Sequence, residues 1–200
     1  MSLKLIPIFI TALLLQTQTK TILFFGDSLT AGYGLSPDIA FPALVEKELN
    51  KENKKIKVIN AGLSGETSAG GLSRIDWVLR QPIDVFVLEL GANDGLRGLP
   101  IEQTKKNLQA IIDKVKSKYP KVKIVMTGMM VPPNMGKSYS DEFQKIYPAM
   151  AQKNKANLFP FLLEGVAGNE KLNQADGIHP NAEGHRIVAN NLVTFLRPLI

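Results

Sequence analysis

The sequence predicts a single α/β domain, a sandwich of helices around a parallel sheet, and three observations carry that expectation. Short runs rich in Ile, Val, Leu and Phe lack polar alternation, as strands buried on both faces do. Longer amphipathic segments separate them, and repeated strand–helix alternation is the pattern of a parallel sheet covered by helices. Glycine and small polar residues crowd the positions directly after each run, where the chemistry of open α/β sheets sits.

The strand-like runs are residues 21–25, 56–60, 83–90, 122–127 and, more weakly, 157–161. The helical pattern at 41–52 places Phe41, Leu44, Val45 and Leu49 on one face, and that at 104–118 aligns Leu108, Ile111, Ile112 and Val115. Segments 68–79, 141–155 and 182–196 complete the helices. The 200 residues suffice for one well-formed core, and no internal repeat or low-complexity tract divides them.

The formal net charge of +6 suggests an anionic partner, but the lysines are scattered over helix ends and polar faces. No arginine-rich run and no basic–aromatic alternation is present, so a solvated basic surface is expected, without nucleic acid. The absence of cysteine removes disulfides, thiolate metal sites and a Cys nucleophile together. Residues 5–15 are almost wholly apolar behind Lys4, which resembles a secretory signal too short to span a bilayer. The expectation is a signal over residues 1–19 and a domain over 20–200, periplasmic or secreted, with no integral membrane span and acting as a monomer. A buried first segment of a cytoplasmic protein is the alternative.

The edge residues supply candidates for catalysis. Gly26-Asp27-Ser28-Leu29-Thr30 follows the first run, Ala61-Gly62-Leu63-Ser64-Gly65 the second, and Gly91-Ala92-Asn93-Asp94-Gly95 the third. Ser28 alone reads equally as a helix N-cap. Near the C-terminus stands Asp176-Gly177-Ile178-His179-Pro180. A serine hydroxyl needs a base to take its proton and a third group to orient that base. Asp176 and His179, three apart in a turn bounded by Gly177 and Pro180, can supply both. The chain's other histidine, His185, lies in the last helical segment and is expected to cap it or face solvent.

Together, Gly26-Asp27-Ser28-Leu29, Gly62, Gly91-x-Asn93-Asp94 and Asp176-x-x-His179 resemble the four blocks of the SGNH (GDSL-type) hydrolases. The order is the family's, and the bacterial thioesterase I, lysophospholipase L1 and arylesterase branch is the most similar. The resemblance implies a flavodoxin-like sandwich with five parallel strands in the order 2-1-3-4-5. It also implies a serine esterase or thioesterase needing no cofactor and no metal. Ser28 would be the nucleophile, His179 the base and Asp176 its orienter. The Ser28 and Gly62 backbone N–H groups and the Asn93 amide would form the oxyanion hole, with Asp27 and Asp94 bracing loops. Thr30 stands where a G-x-S-x-G elbow would have its second glycine.

Two other readings remain at this stage. A metal hydrolase could use Asp27, Asp94, Asp176 and His179 as hard ligands. A phosphate-binding domain of the same architecture would need a glycine cradle, which Gly32-Tyr33-Gly34-Leu35-Ser36-Pro37 only begins to match. For the substrate, a small-molecule ester or lipid is expected. Met130, Pro132, Pro133 and Asn134, beside Met129 and Val131, would form an adaptable apolar wall for an acyl chain; core filling is the alternative for the methionines. An exported enzyme would meet lysophospholipids or environmental esters rather than acyl-CoA. Carbohydrate deacetylation is the alternative activity.

Overall fold

A computed structural model describes residues 19–52 and 54–200 of the chain. The expected signal therefore lies, except for Thr19, outside the described residues. Five strands form one parallel sheet in the order β2-β1-β3-β4-β5, as the family resemblance implies. They are β1 (Lys20–Gly26), β2 (Ile56–Gly62), β3 (Val85–Glu89), β4 (Lys123–Thr127) and β5 (Asn157–Phe159). Ile22 to Phe25 and Val85 to Leu88 are all essentially inaccessible to solvent, which is why these runs show no polar alternation.

Eight α-helices cover the sheet among the described residues. Helix α1 (Ser28–Ala31) is a single turn and α4 (Ala92–Leu96) little more. The layer helices are α2 (Phe41–Asn50), α3 (Ser68–Val78), α5 (Ile101–Lys118), α6 (Lys137–Gln144), α7 (Ile146–Asn154) and α8 (Ala182–Leu196). Helices α2 and α8 pack on each other, and α3 packs on α5, which in turn meets α7. Consecutive residues of β1 point to opposite layers. Phe24 meets Phe41 of α2 edge to face, with ring centroids 5.5 Å apart. Phe25 instead lies under α3, where a Cβ on Gly71 would come within 3.1 Å of its ring. No helix of the described residues is long and apolar enough to cross a membrane.

Two expected elements differ. The single helix over 141–155 is two helices, α6 and α7, meeting at Lys145. Pro148 lacks the N–H that would bond back to Gln144, so the continuous helical ladder breaks there. The third strand ends at Glu89, and the chain turns through Gly91 at φ +114° into α4.

His185 is also not where the sequence reading placed it. It is buried on α8, and its Nδ1 accepts the Phe41 N–H at 3.1 Å, capping the start of α2 rather than its own helix. Its ring stacks on Phe41, with centroids 5.9 Å apart. Burial, with a smaller contribution from the His179 charge, lowers its pKa to about 4. The stabilising neutral form is fully present above the unfolded-state pKa of about 6.5 and is lost as pH falls toward 4. Urea unfolding at pH 7 and pH 4 should show wild type losing on the order of 3 kcal/mol more than His185→Gln. Equal losses in the two proteins would remove His185 as a source of acid lability.

Candidate active site

The site lies at the carboxyl edge of β1, β2 and β3. Gly26 is in register with Gly62 of β2 and with Glu89 of β3. Asp27 then caps α1 through Oδ1, which accepts the Leu29 N–H at 3.0 Å, and Ser28 opens that helix. The N-cap of α1 is therefore Asp27 and not Ser28, against the cap reading of Ser28. Ser28 is thereby left half-exposed with its hydroxyl turned to the loop before α8.

That loop carries His179 and Asp176. His179 Nε2 is 2.9 Å from Ser28 Oγ, and His179 Nδ1 is 2.7 Å from Asp176 Oδ2. The Asp176 Oδ1 accepts the backbone N–H of Ile178 at 2.9 Å and of His179 at 3.0 Å. Those two bonds close the turn, and Gly177 at φ +69° makes it possible. They also fix the acid. The His179 backbone N–H, then its side chain and the Ile178 N–H, hold the Asp176 carboxyl down at about 2.

Neighbours hold the turn in place. Gln174 N donates to the His179 carbonyl at 2.8 Å, and Gln174 Nε2 donates to the Tyr33 carbonyl at 2.7 Å. The Tyr33 ring lies against the His179 imidazole, with centroids 4.6 Å apart. The Asn181 side chain caps α8 by accepting the Glu183 and Gly184 N–H groups.

The sequence profile of the GDSL-like Lipase/Acylhydrolase family matches residues 24–187, a span that contains every residue just described. The chain belongs to that family. It is 39% identical over 193 residues to the esterase TesA of Pseudomonas aeruginosa, covering 94% of this chain and 95% of that one. It is 39% identical over 181 residues to the thioesterase 1/protease 1/lysophospholipase L1 of Escherichia coli K12, covering 90% and 85%. A crystal structure of TesA superposes with a TM-score of 0.85 at 39% identity, covering 90% of this chain and all of that one. The psychrotrophic esterase EstA of a Pseudoalteromonas species gives 0.84 at 33% identity, covering 90% and 97%.

The groups expected to form an oxyanion hole differ in what occupies them. The Ser28 N–H has no hydrogen-bond partner among the described residues. The Gly62 N–H does: it donates to Asn60 Oδ1 at 2.9 Å, while Asn60 Nδ2 donates to the Thr30 carbonyl. Gly62 is glycine for packing, since a Cβ there would lie 2.2 Å from the Ala31 nitrogen. Further along the loop, the Gly65 N–H has no partner among the described residues. Gly65 sits at φ +77° with nothing within 4 Å of where a Cβ would be, and its carbonyl accepts Arg97 Nη2 at 3.0 Å. Asn93 Nδ2 donates to Asp27 Oδ2 at 3.0 Å and to the Glu66 carbonyl at 3.1 Å, so the amide is locked beside Ser28's turn.

The remaining candidates separate by burial. Met129 and Val131 are core residues, whereas Met130 is 48% exposed. Pro132 and Asn134 are exposed, and the Pro132 carbonyl closes a turn onto Met135; the side chain of Pro133 lies outside the described ones. A metal ligand set does not assemble. Asp94 is turned into the protein, with its oxygens accepting from Ser68 N, Ser68 Oγ and Thr104 Oγ1. The glycines of the 32–37 loop form no cradle, because Ala40 and Gln174 occupy the space beside Gly32 and Gly34.

The sequence reading missed Glu89 and Arg74. Glu89 is fully buried below Ser28's turn, and its one visible signal is a lone carboxylate in an apolar strand. Arg74 lies 4.3 Å from the Phe25 ring centre, pairs with Glu66 and donates to the Ala61 carbonyl at 2.8 Å, bracing the end of β2.

Because Asp176 stays ionised down to about pH 2, it is not the origin of any activity loss between pH 4 and 7. Asp176→Asn keeps an acceptor for the turn but removes the anion beside His179 Nδ1. Its kcat should fall roughly 10²- to 10⁴-fold at every pH from 6 to 9. A loss under threefold would remove Asp176 from the relay.

Proposed function

We propose that Ser28, His179 and Asp176 are the catalytic triad of a serine hydrolase that cleaves carboxylic esters and thioesters through an acyl-enzyme. The observation that carries the reading is the unbroken line from Ser28 Oγ to His179 Nε2 and from His179 Nδ1 to Asp176 Oδ2. His179 takes the Ser28 proton as Oγ attacks the carbonyl carbon, and Asp176 stabilises the imidazolium that forms. The imidazolium returns the proton to the leaving alcohol or thiol. Water, deprotonated by the same imidazole, then releases the acid.

Attack turns the carbonyl oxygen into an oxyanion that needs fixed donors. We assign them as the Ser28 N–H and the Gly65 N–H, with Asn93 flanking, in place of Gly62. Two observations support this: the Gly62 N–H is engaged by Asn60, while the Gly65 N–H stands without a partner beside open space.

An acyl chain is the best-supported substrate portion. Six large apolar side chains are exposed among the described residues: Tyr33, Leu63, Met130 and Ile178 in turns and loops, Leu96 at the end of α4 and Trp77 in α3. Tyr33, stacked on His179, and Ile178, its chain neighbour, put apolar surface beside Ser28, which favours a hydrocarbon over a hydrophilic acetylated sugar. Aryl esters, lysophospholipids and acyl thioesters all present the required chain. The relatives named esterase and thioesterase 1/protease 1/lysophospholipase L1 carry names within this range.

Hydrolysis of p-nitrophenyl esters from acetyl to palmitoyl tests both parts. kcat/KM should rise about tenfold or more from acetyl to octanoyl, since each buried methylene contributes up to ~0.8 kcal/mol. Ser28→Ala should lose roughly 10⁴-fold or more in kcat. Equal activity in both proteins would overturn the triad. A flat series with a Ser28-dependent acetyl rate would instead point to short acyl groups such as those of acetylated sugars.

A further inference from the structure

Below the Ser28 turn lies a buried carboxyl that the mechanism above does not use. Glu89 ends β3 in register with Gly26, and none of it is exposed. Its Oε2 accepts the Asp27 backbone N–H at 3.0 Å and the Thr30 hydroxyl at 2.6 Å. These two donors flank Ser28, one belonging to the residue before it and one to the helix it opens. Gly26 has no side chain because a Cβ there would lie 2.2 Å from both Glu89 Oε2 and Thr30 Oγ1. The space beneath the nucleophile is therefore shaped around this carboxyl group.

The other oxygen makes the case. Glu89 Oε1 has no hydrogen-bond donor directed at it among the described residues. A carboxylate oxygen so placed would be a buried, unsatisfied charge, which costs several kcal/mol. As an O–H it is a donor, and the acceptor we assign to it is the carboxyl of Asp27, the residue whose backbone N–H already sits on Oε2. Asp27 in turn uses Oδ1 on the Leu29 N–H and Oδ2 on Asn93 Nδ2. Asp27 thus stands between Glu89, which accepts its backbone N–H, and Asn93, which donates to its side chain.

We propose that Glu89 is a positioning residue of the hydrolytic reaction. It acts as a neutral acid, holding the Asp27–Ser28 turn with one oxygen and donating its proton to the Asp27 carboxylate with the other. Asn93 is thereby kept against the oxyanion site. The assignment rests on the triad reading of Ser28. Burial first, and then the charge of Asp27, push the Glu89 acid well above the usual carboxylate range. Burial also raises Asp27, to about 6, against the lowering pull of the Leu29 N–H.

The test is a side-chain series at Glu89 assayed with octanoyl ester. Glu89→Met removes both functions, and kcat should fall about 10²-fold while KM moves less than threefold. Glu89→Gln is neutral and can still accept from Asp27 N and Thr30 Oγ1 while donating to Asp27. It should recover at least tenfold of that loss. In the double variant with Asn93→Ala, Glu89→Met should cost about tenfold rather than 10²-fold further, because part of its effect runs through Asn93. Three results would overturn the proposal: kcat retained in Glu89→Met, no recovery in Glu89→Gln, or a full additional loss in the double variant. If Glu89→Met fails to fold, Glu89→Gln alone decides, since a required anion at this position would abolish its activity. Failure of the triad reading is separate and shows in wild type against Ser28→Ala.

Discussion

The hydrogen bond between Ser28 Oγ and His179 Nε2 joins residues 151 positions apart, and the rest of the architecture serves to keep it. One end is fixed by the sheet. β1 is central, paired to β2 and β3 on either side, and the turn after it is tied down by Asp27 and Glu89. The other end hangs on a loop outside the sheet and needs its own anchors. The packing of α8 on α2, the His185 cap on Phe41 and the Gln174 bond to the Tyr33 carbonyl supply them. Loops so constrained keep reacting groups within hydrogen-bond reach before substrate arrives, which is where much of the advantage of intramolecular geometry lies.

The electrostatics follow one division. Asp176, at the surface, is held ionised by backbone N–H groups and can stabilise a cation on His179. Asp27 and Glu89, buried, are driven the other way by desolvation. Two neighbouring carboxyl groups buried from solvent share a proton more readily than both ionise. The same residue type thus serves as a charge at the rim and as a hydrogen-bonding brace beneath it.

Much of this was legible in the sequence. Strands buried on both faces leave unbroken apolar runs, so all five could be read from the residues, and Ser28, Asp176 and His179, which the motifs single out, lie within hydrogen-bond distance, Ser28 to His179 and His179 to Asp176. Other features were hidden because they depend on partners across the fold. Whether an amide is free is not written in its residue, so Gly62 was taken as a donor although Asn60 occupies it and Gly65 stands open. Glu89 sits in an apolar strand, and its meaning appears only when register places it against Gly26. Met129 and Met130 are adjacent yet one is core and the other exposed, a distinction set by the backbone of the loop. The break at Lys145 follows from Pro148, which the helical spacing of its neighbours masked.

The most direct measurement is a crystal structure of the protein after reaction with an alkylphosphonate ester, a stable mimic of the tetrahedral intermediate. The account predicts phosphorus bonded to Ser28 Oγ, with the phosphoryl oxygen about 3 Å from the Ser28 and Gly65 nitrogens and the Gly62 N–H still on Asn60. A phosphoryl oxygen bound by the Gly62 N–H with Asn60 displaced would contradict the oxyanion assignment. Phosphorus attached to any residue other than Ser28 would contradict the account as a whole.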